Sequence, residues 1–179
     1  NGNSISKTID VAAADSAKNV AAKINAVSGE LGVTATAKTY ALLNSEYATD
    51  QTYSILVNNV TTGSFVISSS NVTDAVDKIN AISGSTGVTA QATNDFKVRL
   101  YAQDGADILV ESQTSGQTAL RMQSVSHDGT SVQPSQVWHR AAADTTGGSG
   151  AASAARGELG AADGTYTLVQ KSTGQTLTF

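Results

Sequence analysis

The chain has no cysteine among its 179 residues, so disulfides, thiolate metal sites and a cysteine nucleophile are all excluded. Charged residues are also scarce, at 15% of the chain, and they sum to a net charge of −4 with a pI near 5.0. Because Lys and Arg form no basic face, the composition predicts no nucleic-acid partner and no attraction to an anionic membrane. No apolar run approaches the ~20 residues that a membrane-spanning helix needs.

Histidine is nearly absent as well. His127 and His139 are the only two, and no H-E-x-x-H metal motif occurs. No G-x-S-x-G nucleophile elbow is present, and the residues at 147–150 (GGSG) lie in a linker-like run. The sequence therefore predicts no catalytic site, no metal site and no enzymatic activity.

Two other features could bind a ligand. Asp104 and Asp107 bracket Gly105 and could offer oxygens to Ca²⁺, but an Asp-Gly turn is far more often a simple hairpin connection. Trp138, the only tryptophan, could stack on a sugar ring, but packing in a core or between lobes is the commoner role. We interpret both features as structural and expect no cofactor.

The most informative feature that is present is a repeated segment. Residues 21–37 (AAKINAVSGELGVTATA) and 76–92 (VDKINAISGSTGVTAQA) align at an offset of 55 and share 11 of 17 residues. Repetition without reactive residues indicates architecture rather than chemistry.

Each copy predicts a short amphipathic helix followed by a strand. Asp15 or Ser16 can cap the first helix, and Ser70 or Asn71 the second. Apolar residues then recur at three- and four-residue steps: Ala17, Val20, Ala21, Ile24 and Val27 in the first copy, and Val72, Val76, Ile79 and Ile82 in the second. We expect each helix to stop at a left-handed glycine, Gly29 or Gly84, and strands to begin at Val33 and Val88. Extended stretches at 6–11 and 64–68 precede the helices.

The rest of the chain reads mainly as strands and turns. Residues 51–58 and 64–68 flank a hairpin loop at 58–63, and residues 96–101 and 108–110 flank a second hairpin signal at Asp104-Gly105. Further strands are predicted at 119–125, 165–169 and 175–179. This pattern predicts the α+β class: a β-rich body of antiparallel hairpins with two short amphipathic helices.

We expect two small lobes. The first copy, residues 1–48, would be only marginally stable by itself, so we expect it to be completed by residues 115–179, while residues 49–114 would form the second lobe. Two consecutive lobes are the alternative. The Ala-, Gly- and Ser-rich residues 141–163 are predicted to be a flexible loop within the C-terminal part.

The repeated residues resemble a known family. Lys23-Ile24-Asn25-Ala26 and Lys78-Ile79-Asn80-Ala81, each followed by Val-Thr-Ala, are similar to the "IN" motif in the variable outer region of bacterial flagellins and in flagellar hook-associated and filament-cap proteins. The resemblance covers roughly the first 112 residues and implies a secreted, extracellular structural protein of the flagellar filament, which serves motility.

The family resemblance also implies how the chain assembles, which partners it has and how it could be modified. Flagellins polymerise through terminal coiled-coil helices, and no sustained heptads occur here, so we expect an excised outer domain that lacks the polymerising helices and is monomeric alone. The chain has no Met at position 1 and no pattern of a signal peptide. Other flagellin subunits would be partners through the absent core, and O-linked glycans are a possible modification. Asn59-Val60-Thr61 and Asn71-Val72-Thr73 match the N-glycosylation pattern only formally.

Asn25 and Asn80 recur in register, and we interpret them structurally: each side chain is expected to bond a backbone group in the turn that leads to the strand. Three functions remain open at the level of the sequence. The first is the outer domain of a flagellin, the second is an outer domain of a filament-cap or hook-associated protein that acts in assembly or adhesion, and the third is an enzyme or lectin-like domain on the filament.

Overall fold

The computed structural model describes residues 7–12, 15–113, 120–125, 132–139, 153–155 and 166–170, the last three ranges as backbone only. Four helices lie in this part of the chain: α1 (Ala17–Ala26), α2 (Ser28–Leu31), α3 (Thr73–Ala81) and α4 (Ser83–Thr86). The strands in the first half are β1 (Val33–Ala37), β2 (Thr39–Ser45), β3 (Gln51–Val57), β4 (Val60–Ile67) and β5 (Val88–Ala92). The later strands are β6 (Val98–Ala102), β7 (Ile108–Ser112), β8 (Leu120–Val125), β9 (Val132–His139), β10 (Ser153–Ala155) and β11 (Tyr166–Gln170).

Three antiparallel sheets organise these strands. The largest has the order β5-β6-β2-β8-β9, the second has the order β10-β7-β3-β4, and β1 pairs with β11 alone. The expected α+β class, β-rich with short helices, is confirmed. One feature was not expected: a one-turn helix, α2 or α4, follows each of the two longer helices.

The main hydrophobic core lies between the two larger sheets. Tyr53 and Phe65 of the second sheet are each 1% exposed and lie near Leu43 and Leu100 of the first in one cluster of buried side chains. Helix α3 contributes Ala75 and Ile79 to the same cluster. The alternation of buried and half-exposed residues along β6 and β7 explains this arrangement, since successive strand side chains point to opposite faces.

A second, smaller cluster belongs to the first repeat. It joins the buried face of α1 to the inward residues of β1, and consists of Ala17, Val20, Ala21, Ile24, Val33, Ala35 and Ala37. The break between the two clusters therefore falls in the chain between Ala37 and Ala41. The expected lobes 1–48, 49–114 and 115–179 stay a prediction. Within the predicted loop 141–163 the structure describes β10, which pairs with β7; the rest of that range lies outside the described residues.

In each copy the left-handed glycine lies three residues later than predicted. Gly29 and Gly84 lie inside the one-turn helices α2 and α4, so neither ends a helix. The left-handed positions are Gly32, with φ of 67°, and Gly87, with φ of 71°. Each copy places a second glycine three residues after the first, and the backbone uses the later one to turn into the strand.

Both hairpin predictions need correction. The turn between β3 and β4 is only Asn58-Asn59, both at positive φ, so β4 begins at Val60 instead of residue 64. The Asp104-Gly105 turn does not connect a hairpin, because β6 lies in the five-stranded sheet and β7 in the four-stranded one.

Two strands predicted near the ends of the chain are not among those that the structure describes. Residues 7–12 form no strand, so the strand expected before α1 is not seen there. The strand expected at 175–179 lies outside the described residues.

Candidate functional site: the asparagine of each repeat

Helix α1 positions the first repeat's asparagine. The Ser16 hydroxyl accepts the Asn19 N–H at 3.3 Å and caps the helix, as one of the two predicted candidates. The buried face then fixes the helix against β1, and Asn25 falls on the last turn, beside the middle of that strand.

The amide of Asn25 binds the backbone of β1 twice. Its Nδ2 donates to the Ala35 carbonyl at 2.8 Å, and the Ala35 N–H donates to its Oδ1 at 2.8 Å. Because β11 pairs with the other side of β1, these bonds fall on the edge of β1 that faces away from β11. A single side chain thus supplies the pair of hydrogen bonds that a neighbouring strand would make.

The second repeat reproduces this geometry. Asn80 Nδ2 donates to the Ala90 carbonyl at 3.0 Å, and the Ala90 N–H donates to Asn80 Oδ1 at 2.8 Å. Strand β5 is the terminal strand of its sheet, so the bonds again fall on a sheet edge. The predicted structural role of Asn25 and Asn80 is therefore right in kind, but the partner is the strand itself and not the turn before it.

Helix α3 also binds a second sheet. In its first turn the Asp74 carboxylate accepts the Val66 N–H at 2.7 Å, and Val66 lies on β4, the terminal strand of the four-stranded sheet. At its other end Asn80 binds β5. One helix thereby hydrogen-bonds the edge strands of both large sheets and packs Ile79 into the core between them. The predicted cap of the second helix, Ser70 or Asn71, is only partly right. Asn71 Oδ1 accepts the Thr73 N–H at the start of α3, but the residue at the capping position is Val72.

The junction between the first repeat and the larger body lies at the Asp104-Gly105 turn. Lys18 of α1 donates its backbone N–H to the Gly105 carbonyl at 3.1 Å and its Nζ to Asp104 Oδ2 at 2.7 Å. The Lys18 ammonium lowers the pKa of Asp104 below its ordinary value, and the hydrogen bond from the Ala106 N–H acts in the same direction. Gly105 has φ of +74°, and a Cβ there would lie 2.2 Å from the Cβ of Ala37.

The other ligand candidates receive little support from this geometry. Asp104, which could have offered oxygens to Ca²⁺ but was interpreted as structural, accepts hydrogen bonds from Lys18 Nζ and from the Ala106 N–H. Within the ranges that the structure describes, no three His, Cys, Asp or Glu side chains gather closely enough to hold a metal ion. His127 and residues 147–150 lie outside the described residues. His139 and Trp138 are backbone positions of β9, opposite Leu120 and Arg121 of β8.

Two residues that sequence reasoning missed complete the second repeat. Thr86 Oγ1 accepts the Val88 N–H at 3.1 Å, and Asn58 Nδ2 donates to the Thr86 carbonyl at 2.9 Å while its Oδ1 accepts the Leu109 N–H at 2.8 Å. The Asn58-Asn59 pair is a turn signal that was present in the sequence. Thr86 carried no signal, because the first copy has Leu31 at the corresponding position.

Both formal N-glycosylation positions are exposed. Asn59 occupies the β3–β4 turn at positive φ, and Asn71 lies two residues before the start of α3. In the described ranges no helix is both long and apolar enough to cross a lipid bilayer.

The fold and the repeated asparagine define a structural module: a helix that binds a strand edge through one amide. The comparisons with known proteins agree with that class, because residues 1–44 match the family described as the flagellin hook IN motif. The matched range spans α1, α2, β1 and most of β2. No curated protein matches the chain. Residues 1–44 are thus similar to the flagellin IN motif, and the hydrogen-bond geometry of Asn25 in this segment recurs 55 residues later at Asn80.

Proposed function

We propose that the chain is the surface-exposed outer domain of a flagellin subunit in the bacterial flagellar filament. The observation that carries this proposal is the flagellin IN motif at residues 1–44 together with its structural duplicate around Asn80. A domain of this kind works by exposure and lateral contact, and the subunits polymerise through helices outside it. The β-rich body, whose longest described helix has 10 residues, fits such an outer domain.

Three further parts of the proposal follow from this assignment. The domain is extracellular and part of a secreted filament. Its partners are other flagellin subunits in the filament, and O-linked glycans are a candidate modification of exposed Ser and Thr. The domain has no enzymatic role. The scarcity of histidine and the absence of cysteine from the sequence support that last point.

The second candidate is an outer domain of a filament-cap or hook-associated protein. The family that residues 1–44 match is named for the flagellar hook as well as for flagellin, which is a specific reason to keep this candidate. Two features favour a flagellin over this second candidate: the motif occurs in two copies, and the run Ala35 to Thr39 follows the first copy.

Immunogold labelling of intact flagella with antibodies raised against the chain separates these candidates. Labelling along the whole filament is expected for a flagellin outer domain. Gold confined to the distal tip identifies a cap protein, gold confined to the hook–filament junction identifies a hook-associated protein, and either result rejects the proposal.

The third hypothesis, an enzyme or lectin-like domain, has a separate test. The isolated chain is applied to a glycan array and to hydrolase substrates, beside variants at His127, His139 and Trp138. We expect no binding or turnover above background. Reproducible activity that disappears in one of these variants would overturn the purely structural assignment.

A further inference from the structure

Strand β5 is a sheet edge with little protection of its own. Its sequence, Val-Thr-Ala-Gln-Ala, contains no charge and no proline, which are the residues that usually stop edge strands from pairing with other chains. Thr89 and Gln91 are exposed and uncharged. An edge strand without charge or proline has unpaired N–H and C=O groups to which another strand can bind.

The second repeat covers this edge with polar side chains. The residues of β5 whose N–H and C=O point away from β6 include Val88 and Ala90, because Ala90 bonds to Asn80 and the direction alternates along the strand. Thr86 Oγ1 takes the Val88 N–H, and Asn80 takes both groups of Ala90. Asn58 binds the Thr86 carbonyl and so holds the end of α4 in place.

We propose that Asn80 is an edge guard: it holds the end of α3 and the whole of α4 over β5, and without it the edge opens and pairs with β5 of a second copy of the chain. The same strand from two copies can pair antiparallel around a two-fold axis, so each copy satisfies the other's Val88 and Ala90. This inference does not depend on the proposed function.

Two further observations support the edge guard. The first repeat has the same amide in the same place, Asn25 on Ala35, over a second edge strand whose sequence Val-Thr-Ala-Thr-Ala also lacks charge and proline. Another terminal strand, β4, is covered by Asp74, whose carboxylate accepts the Val66 N–H, and β4 has a register shift opposite Ser54 and Leu56 in β3. Three terminal strands are thus each hydrogen-bonded by a side chain from a helix: β5 by Asn80, β1 by Asn25 and β4 by Asp74.

The test compares the unmodified chain with Asn80→Ala, and uses Asp77→Ala, an exposed position on the same helix, as the matched control. Sedimentation velocity over a concentration series reports association, and amide hydrogen exchange reports opening. Asn80→Ala is expected to speed exchange of the Ala90 amide about tenfold or more and to dimerise at a concentration at least about tenfold lower than the unmodified chain. Asp77→Ala is expected to change neither quantity.

A second substitution shows which surface associates. Pairing Val88 with Ala90 around a two-fold axis puts Thr89 directly opposite Thr89 of the second copy, and Thr89 is exposed. Thr89→Lys in the Asn80→Ala background therefore places like charges opposite each other, so the double variant is expected to return to monomer while its Ala90 amide still exchanges fast. An Asn80→Ala variant that stays monomeric at every concentration, despite faster exchange, overturns the proposal, as does a double variant that associates like Asn80→Ala. If circular dichroism shows that Asn80→Ala does not fold, Thr86→Val replaces it with the same readouts and the same two outcomes.

Discussion

At the scale of single residues, the two repeated asparagines make the same pair of backbone contacts in both copies of the repeat. Each amide satisfies a backbone N–H and a backbone carbonyl on the same alanine, ten residues ahead in sequence. A side chain without both a donor and an acceptor cannot do this, which is consistent with Asn at this position in both copies.

Removal of either amide should therefore cost stability. Asn25→Ala and Asn80→Ala are each expected to lower the free energy of unfolding by about 1–2 kcal/mol, since two hydrogen bonds at a partly buried site are lost. Urea denaturation measures the change. Asp77→Ala should stay within about 0.5 kcal/mol, and a similarly small effect in the asparagine variants would contradict the assigned role of the amide.

Gly105 is a second residue whose identity follows from its surroundings. Gly105→Ala places a methyl group against Ala37 at positive φ and is expected to destabilise the chain by about 2–4 kcal/mol. Gly87→Ala is the matched control, because Gly87 has nearly the same φ, +71°, but no atom within 4 Å of its added Cβ. Thermal denaturation should show a much smaller loss for Gly87→Ala; equal losses would mean that contact with Ala37 is unimportant.

Asp104 gives a pH-dependent contribution of predictable sign. Lys18 lowers the pKa of Asp104 in the folded chain, so the ion pair stabilises above the ordinary pKa of 3.8 and the contribution is lost as the pH falls through the lower folded pKa. Both side chains are 53% exposed, so Asp104→Asn is expected to cost only about 0.5 kcal/mol at pH 7 and nothing near pH 2. Urea titrations at the two pH values measure this; an equal cost at both would exclude the ion pair as the cause.

At the scale of elements, the repeated helices and their strands could be predicted, while their partners could not. The buried stripe of α1, the Ser16 cap and the strands at Val33 and Val88 follow from local patterns, and the structure contains them. The Asp104-Gly105 turn misled the prediction, because a turn signal states that the chain reverses but not which sheet the next strand joins. Pairings such as β2 with β8 depend on packing between distant segments, and no local pattern encodes them.

The hydrogen-bond partner of each repeated asparagine is another feature that the sequence did not predict. A polar residue on the last turn of a helix predicts a local hydrogen bond, and the nearest backbone groups are those of the following turn. The structure instead uses a strand atom ten residues away, because α1 and α3 pack along the strand edge and bring it within reach. Helix orientation decides the partner, and the sequence pattern alone leaves that orientation open.

At the scale of the whole molecule, we expect the chain to remain unpolymerised. Subunit polymerisation through terminal helices requires long helices, and the longest helix in the described ranges has 10 residues. Sedimentation and negative-stain electron microscopy under conditions that polymerise flagellins should show no filaments. Long filaments from this chain alone would contradict the proposal that it is a flagellin outer domain.

The ten-residue reach of the asparagine bonds also bears on the order in which the molecule assembles. Asn80 and Ala90 are 10 residues apart, whereas Asn58 and Leu109, which help to join the β3–β4 turn to β7, are 51 residues apart. Closing a short loop loses less chain entropy than closing a long one, so the α3–α4–β5 unit can form before the sheet that it covers. Pulse-labelling hydrogen exchange during refolding should protect the Ala90 amide ahead of the Leu109 amide. Each repeat would then be present as a template on which the slower, long-range strand pairings are built.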